Sequence, residues 1–581
     1  MVRVLVIGGG PCGLVTLKEM LEAGHDAECF ESKDYIGGVF GADPDAAYDG
    51  LYLTTSNVFM AYSDFPCKDA KIRYSRKDEY AQYLLDYAEA FGLMKRLTLK
   101  TTVDSAVRKD GKWAVVTTTA GGDRVHRTYD AVVCCTGANQ CPKLPLADAL
   151  KDYHGEVLHS SDYQNNLAFA GKKVLVVGIG ESAADIATEI SWVASCTTAW
   201  SRRPVLYAPR FLERSAVDGE HDEYALMADG DAHVKVTEFL EFATTSRVAV
   251  MQACWQYGGI RQLFWGLGQR GLGPGKNNKQ FIELSRASKE CTTGKGARIF
   301  WQADQAGWVT KNSRMCREVA EGNIKYVVAE SIDKVDGTKL TFANGSTVDV
   351  DVVMCCTGYK QDYPWLQEDI GCRCPRSWYK HSIPACFDEK KIAFVGYARG
   401  HQGGIPQMGE MQARLLALTL AGAVKLPADH AARAKVEAKA EDDYYPLCPQ
   451  LKPLVDYPSY MDSLARIIGC EPDVPWFSPT LLFKYANYPL WPAWYRLKGP
   501  GANKSAAMQV LDQFPIRKWW ALDPPQAIWF VNYLCSKVIS LLCWPFVPNT
   551  GVDKYGLFMW VRPKHFALHG LEYRFRDIFR P

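Results

Sequence analysis

The sequence predicts an α/β protein of two Rossmann-like dinucleotide-binding domains, the second inserted in the first, with an aromatic-rich C-terminal region. Three observations carry this expectation. VLVIGGGPCG sets Gly8, Gly10 and Gly13 in G-x-G-x-x-G spacing directly after an apolar run. VLVVGIGESA repeats the frame 170 residues later, with Gly178, Gly180 and Ala183. Two near-copies, YDAVVCCTGANQCPKLP and VDVVMCCTGYKQDYPWL, follow one fingerprint each. In such a turn glycine permits close approach of a pyrophosphate, whose charge then sits on the N-terminus of the following helix. Two fingerprints imply two dinucleotides, and the chemistry that needs two is electron transfer between a nicotinamide and a flavin.

Each element follows from its local pattern. Residues 2–8 and 27–31 read as parallel strands flanking a helix over 11–23. Glu31 stands eighteen residues beyond Gly13, at the end of the second strand, where a carboxylate can accept from ribose hydroxyls. The CCTG segments read as buried strands whose Thr-Gly ends, Thr136–Gly137 in the first copy, let the backbone approach a cofactor. KIAFVGYARG (391–400) is a further strand, followed by a helix opened by Pro406 and ending near Gly422. The expected domains are 1–165 and 346–425 for the first unit, 166–345 for the second with a long excursion at 211–300, and 426–581 for the C-terminal region. Within the excursion, GQRGLGPGK only superficially resembles a phosphate loop, since Asn277 stands where Ser or Thr would hold magnesium.

Composition narrows the class. At 581 residues the chain exceeds one core, so two or three domains are expected. Sixty-seven Lys and Arg against 65 Asp and Glu leave a net charge of +2, which gives no support to a nucleic-acid partner. Nineteen scattered cysteines, several in expected buried strands, read as small apolar residues in a reducing compartment. Cys372 and Cys374 form a C-x-C without a second half, so no metal site is expected. The opening strand leaves no room for a secretory leader. The C-terminal region holds Trp491, Trp494, Trp519, Trp520, Trp529 and Trp544, and residues 527–547 are long enough to span a bilayer. Asn532 and Lys537 argue against a span, because a mid-span lysine costs about 2.5–3.5 kcal/mol. A helix in the membrane interface and a helix packed on the domain both fit.

The stretch between the fingerprints is the most specific. DYHGEVLHSSDYQ (152–164) resembles the flavin-containing monooxygenase motif F-x-G-x-x-x-H-x-x-x-F/Y-K/R, with Gly155, His159 and Tyr163 in register. Tyr153 replaces the Phe and Gln164 the basic residue. IGGVF, TTSNVFMAYSDFP, EMQARLLA, VDYPSYMDSLA and LKGPGA are also similar to that family, whose likeness extends to about residue 512.

The resemblance implies FAD at the first fingerprint and NADPH at the second. Around FAD it implies Gly8, Gly10, Pro11, Cys12, Gly13, Glu31, Ser56, Val58, Val103, Thr136 and Gly137. Gly38, Val39 and Phe40 match the family's G-G-x-W turn under the flavin, and Gln412 lines up near the isoalloxazine. Around NADPH stand Gly178, Gly180, Ser182, Ala183 and Asp185. Arg202 and Arg203 occupy the place of an acidic ribose ligand, and two guanidiniums there suit a 2′-phosphate. Asn57 aligns with an asparagine that faces flavin and nicotinamide. His159 reads as a structural reader of the domain linker. The implied activity is transfer of one oxygen atom from a 4a-hydroperoxyflavin to a soft nitrogen or sulfur nucleophile of a small molecule, in the cytoplasm or on the cytosolic face of the endoplasmic reticulum. A Baeyer–Villiger monooxygenase, an NADPH oxidase-like enzyme and a cofactor-stabilised interaction protein remain alternatives. A disulfide reductase would need a paired redox motif near the flavin, where only Cys12, Cys29 and Cys67 occur singly.

Overall fold

The computed structural model describes residues 1–41, 47–68, 71–178, 180–202, 206–208, 210–211, 223–228, 309–400, 403–444, 451–455, 457–473, 475 and 477–513. Most of the 211–300 excursion, Arg203 and the 527–547 segment lie outside them.

Two five-stranded parallel sheets form the frame. In the first, the strands run in the order Ile392–Phe394, Ala131–Cys134, Arg3–Ile7, Asp26–Phe30 and Leu97–Thr98. In the second, the order is Glu156–His159, Val352–Cys355, Lys173–Val177, Cys196–Ser201 and Ile324–Val328. Every pairing within both sheets is parallel. Parallel strands are covered on both faces, which is why their sequences are continuous apolar runs. Alternation is still visible in what each residue touches. Val4 and Val6 face the helical layer, whereas Leu5 and Ile7 face a layer built around Trp113 and Trp378. Val174 and Val176 face the second domain's helix, and Leu175 and Val177 its other layer with Trp200 and Phe342.

The second domain repeats the plan of the first. Each central strand feeds a fingerprint helix, Pro11–Glu22 or Glu181–Ser191. Each sheet is followed by a three-stranded antiparallel meander, over 102–129 in one domain and 332–349 in the other. Each meander leads into a CCTG strand lying beside its own central strand. Sheet membership therefore runs the second domain from Glu156 to Cys355, wider than the expected 166–345. The motif strand after Gly155 and the second CCTG strand both belong to it, because a parallel strand needs a neighbour already in the sheet. Leu206–Ala208 and Val309–Lys311, strands on either side of the excursion, pair in parallel.

The region beyond 425 completes the first domain's core. The Pro-opened helix Ile405–Leu420 packs on the first fingerprint helix. Against it lies Tyr457–Ile468. Trp491 and Trp494 are 0% and 2% exposed and share one apolar cluster with Val4, Leu14 and Met411. Those two tryptophans are core residues. No helix among the described residues is long and apolar enough to cross a membrane.

Candidate active site: two glycine turns and the ribbon between the domains

The two fingerprints are closed in the same way. Gly8 has φ +105°, and a Cβ there would lie 2.7 Å from the carbonyl oxygen of Cys135. Gly178 has φ +113°, and its Cβ would lie 2.5 Å from that of Cys356. The second cysteine of each CCTG thus seals its own domain's turn. Cys135 and Cys356 each donate a backbone N–H to the end of the central strand, Ile7 or Val177, at 2.8 Å. Only glycine fits this left-handed conformation against backbone.

Both turns then open. A Cβ on Gly180 would meet nothing within 4 Å, and one on Gly10 nothing nearer than the Cα of Gly38 at 3.7 Å. Gly10 and Gly180 cap their helices without a side-chain bond, so the first-turn N–H groups are left for an anion. The third positions differ for a packing reason. A Cβ on Gly13 would sit 1.8 Å from the oxygen of Gly8, whereas Ala183 is accommodated and buried. Glu31 is held at the strand end by the N–H groups of Gly9 (2.6 Å) and Lys33 (2.8 Å). The residues present fit a dinucleotide at each turn.

Gly38, Val39 and Phe40 form one helical turn directly across from Gly10, with the Phe40 ring edge-on to Tyr80 at 5.3 Å. Cys12 points inward: Cβ atoms on Gly396 or Gly409 would meet its sulfur at 2.6 and 2.7 Å, and burial pushes its thiol up to about 12. Gln412 supports the same spot from behind. Its amide accepts from the N–H of Gly396 (3.0 Å) and donates to Tyr460 (2.7 Å) and to the oxygen of Lys380 (3.1 Å). Thr136 shares a 3.0 Å hydrogen bond with Tyr397, and Gly137 takes φ +81°. Ser56, Val58 and Val103 are buried. Gly396 and Tyr460 lie in KIAFVGYARG and VDYPSYMDSLA, but the sequence assigns no role to them or to Gly409.

Asn57 begins a short helix after the strand Tyr52–Ser56, which pairs with Tyr74–Arg76 to form a two-stranded ribbon. Its Oδ1 accepts from the N–H groups of Val58 (2.9 Å) and Arg73 (3.0 Å), and its Nδ2 donates to the oxygen of Lys71 at 2.8 Å. The remaining N–H points at the sulfur of Cys67, a weak acceptor 3.7 Å away. Asn57 therefore braces the ribbon and keeps one N–H loosely held.

In the second domain Ser182 is exposed in the first helical turn, and Arg202 is exposed just past the strand Cys196–Ser201. Asp185 is buried instead. It accepts from Tyr48, Arg210, Tyr224 and Asn312.

The linker motif is tied into the second domain and its exit. Gly155 is required because a Cβ would meet the hydroxyl of Tyr153 at 2.3 Å and the oxygen of Asp351 at 2.5 Å. Tyr153, in the place of Phe, donates to the oxygen of Val350 at 2.8 Å. The N–H of Ser161 donates to Nδ1 of His159, so the ring's proton lies on Nε2, which donates to Gly358 at 3.0 Å. Burial lowers its pKa. His159 is a neutral tie between chain segments.

Tyr163 donates to Glu189 on the second fingerprint helix at 2.6 Å. Burial pushes the Glu189 carboxyl up to about 7, opposed by the bond from Tyr163 and reinforced by Asp185. A carboxyl raised in the folded state stabilises the fold fully below its ordinary range, and that contribution is lost as pH rises through about 7. The wild-type stability is expected to fall by up to about 3 kcal/mol relative to Glu189→Gln between pH 5 and 8. Thermal melts of both proteins across that range check it.

Two sealed dinucleotide turns on one chain define a two-cofactor flavoprotein oxidoreductase. The chain belongs to the flavin-binding monooxygenase-like family, whose pattern matches residues 1–210 and 305–522. It is 33% identical over 547 residues to a 4-hydroxybenzoate brominase (decarboxylating) of Marinomonas mediterranea, covering 93% of this chain and 98% of that one. It is 28% identical to flavin-containing monooxygenase 5 of Rattus norvegicus, over 88% of this chain and 91% of that one. The fold matches S-allyl-L-cysteine S-oxygenase of Allium sativum with a TM-score of 0.55 at 19% identity, covering 88% and 98% of the two chains. The protein is a flavin-dependent monooxygenase that uses FAD, NADPH, dioxygen and a small-molecule substrate.

Proposed function

We propose that the chain oxygenates a soft nitrogen or sulfur nucleophile of a small molecule, with FAD on the Gly8 turn and NADPH on the Gly178 turn. The observation that carries this assignment is the pair of open turns, of which only the first has a carboxylate, Glu31, at the end of its second strand. When bound, NADPH supplies a hydride and reduced FAD supplies the activation of dioxygen. The chain's own residues bind and orient. The helix N-termini at Gly10 and Gly180 take the pyrophosphates, and Glu31 takes the adenosine ribose. Arg202, with Arg203 beside it in sequence, takes the 2′-phosphate. The loosely held N–H of Asn57 is the donor offered where oxygen and nicotinamide meet, while its other three bonds keep the ribbon fixed.

Arg202→Ala is the test of coenzyme choice. It is expected to raise KM for NADPH by ten- to hundredfold and to leave KM for NADH nearly unchanged, since a charge-assisted contact is worth about 1.5–3 kcal/mol. Equal changes for both coenzymes would remove the 2′-phosphate role.

A second reading has its own support. The 33% likeness to a phenol-acid brominase runs over nearly both whole chains. Under that reading a halide ion is the soft nucleophile and an electron-rich phenol the final acceptor. Incubation with NADPH, bromide and 4-hydroxybenzoate, followed by mass spectrometry, decides it: brominated phenol supports this reading, and oxygenated amine or sulfide probes with no bromination support the first. Ketone probes giving esters would instead favour Baeyer–Villiger chemistry. We place the protein in the cytoplasm or against the cytosolic face of the endoplasmic reticulum. Release from membranes on deleting residues beyond 526 would favour the second site.

A further inference from the structure

One buried carboxylate joins the coenzyme helix to the ribbon that carries Asn57. Asp185 lies in the helix Glu181–Ser191, whose first turn faces the second dinucleotide site, and is 3% exposed. Its Oδ1 accepts from Arg210 (2.8 Å), Tyr224 (3.0 Å) and Asn312 (2.7 Å), all from its own domain. Its Oδ2 accepts from Tyr48 at 2.8 Å, and Tyr48 belongs to the segment leading into the ribbon of the first domain. Two further bonds cross beside it. Tyr74, on the ribbon's second strand, donates to the oxygen of Arg210 at 2.7 Å. Lys311 donates to the oxygen of Thr54, on the ribbon's first strand, at 2.9 Å. Asn312, next to Lys311, also accepts the N–H of Met315 and so fixes the helix that follows.

We propose that Asp185 is a positioning residue: it holds the NADPH-binding helix in register with the Asn57 ribbon, so that coenzyme bound on one domain is aimed at the flavin held by the other. The inference rests on the assignment of FAD to the first turn and NADPH to the second. A carboxylate alone can serve here, because four donors converge on it and it has about four acceptor positions and no hydrogen of its own. Asparagine at this position would keep two acceptor positions and turn two N–H groups toward donors. The pyrophosphate would be held by backbone N–H groups at the helix start, so loss of the carboxylate affects aim before it affects affinity.

The test uses the FAD-loaded full-length protein with Asp185→Asn and, as a milder change, Tyr48→Phe, which removes only the cross-domain donor. NADP⁺ affinity is measured by calorimetry, flavin content by absorbance, and flavin reduction by anaerobic stopped flow. Both variants are expected to retain FAD and to bind NADP⁺ within threefold of wild type. Flavin reduction should slow at least tenfold in Asp185→Asn and about threefold in Tyr48→Phe, with more hydrogen peroxide released per NADPH in air. Unchanged reduction in Tyr48→Phe, or a loss of NADP⁺ affinity with an unchanged limiting rate, would overturn the proposal. If wild-type protein itself binds FAD and is not reduced by NADPH, the cofactor assignment fails instead, which separates the two.

Discussion

A protein carrying Gly178→Ala is expected to purify yellow, with FAD bound, and to have lost reduction by NADPH. One carrying Gly13→Ala is expected to have lost FAD. The geometry sets both results. At Gly178 an alanine must adopt φ +113° with its Cβ 2.5 Å from the oxygen of Cys356, a backbone atom that cannot swing aside. Strain of that kind costs about 1–3 kcal/mol, and displacement of the CCTG strand adds to it. The damage falls on the second turn, because the first is sealed separately by Cys135. At Gly13 the clash is 1.8 Å, with the oxygen of Gly8 itself, so the first turn cannot keep its shape. Flavin absorbance after gel filtration and anaerobic NADPH titration report the two outcomes. Normal reduction of Gly178→Ala would separate the second fingerprint from the nicotinamide.

Arg496→Met is expected to cause the largest loss of stability. Arg496 is 1% exposed and donates to Glu410 (2.8 Å), to Ser63 (2.7 Å), to the oxygen of Gly501 (3.0 Å) and to Glu19. Lys18 pairs with Glu19 and Asp64 in the same cluster. Burial pushes the Glu19 carboxyl up, but Arg496 and Lys18 outweigh that and hold it at about 2. Burial, Asp64 and Glu19 push Glu410 the other way, offset in part by Arg496. Removing the guanidinium leaves Glu410 without its cation and Glu19 and Asp64 with Lys18 alone, and loss of one partner of a buried pair costs about 3–5 kcal/mol. A fall in Tm of roughly 3–8 °C follows. Arg496→Lys keeps the charge and loses the fork, so its Tm should fall between the two. A Met variant as stable as wild type would show that the C-terminal segment is not fastened to the first domain through this cluster.

The sequence made the frame legible where one short pattern carries both a conformation and its reason. The glycine fingerprints, the CCTG repeats, Glu31 and the Pro-opened helix all stand where their local patterns indicate. Less was legible where the partner lies far along the chain. Gln412 is a polar residue of a buried helix by its neighbours, yet its amide fixes Gly396 beneath Cys12. Asp185 sits in the fingerprint's own helix, and only the fold brings Tyr48, Arg210 and Asn312 to it. The domain bounds erred by one strand at each end, because membership in a parallel sheet is decided by hydrogen bonding to a distant neighbour and not by local periodicity. Trp491 and Trp494 are core residues, which aromatic content alone does not decide, since it does not distinguish a core from an interface.

Electrons from NADPH are expected to pass through FAD and end with one oxygen atom placed on a small molecule. The most direct measurement supplies ¹⁸O₂ and NADPH to the purified FAD-loaded protein with a thioether probe, and follows the label by mass spectrometry. A sulfoxide carrying one ¹⁸O atom, formed in proportion to NADPH consumed, is the expected product. Label recovered only in hydrogen peroxide, with the thioether unchanged across amine, sulfide and bromide-plus-phenol acceptors, would contradict it.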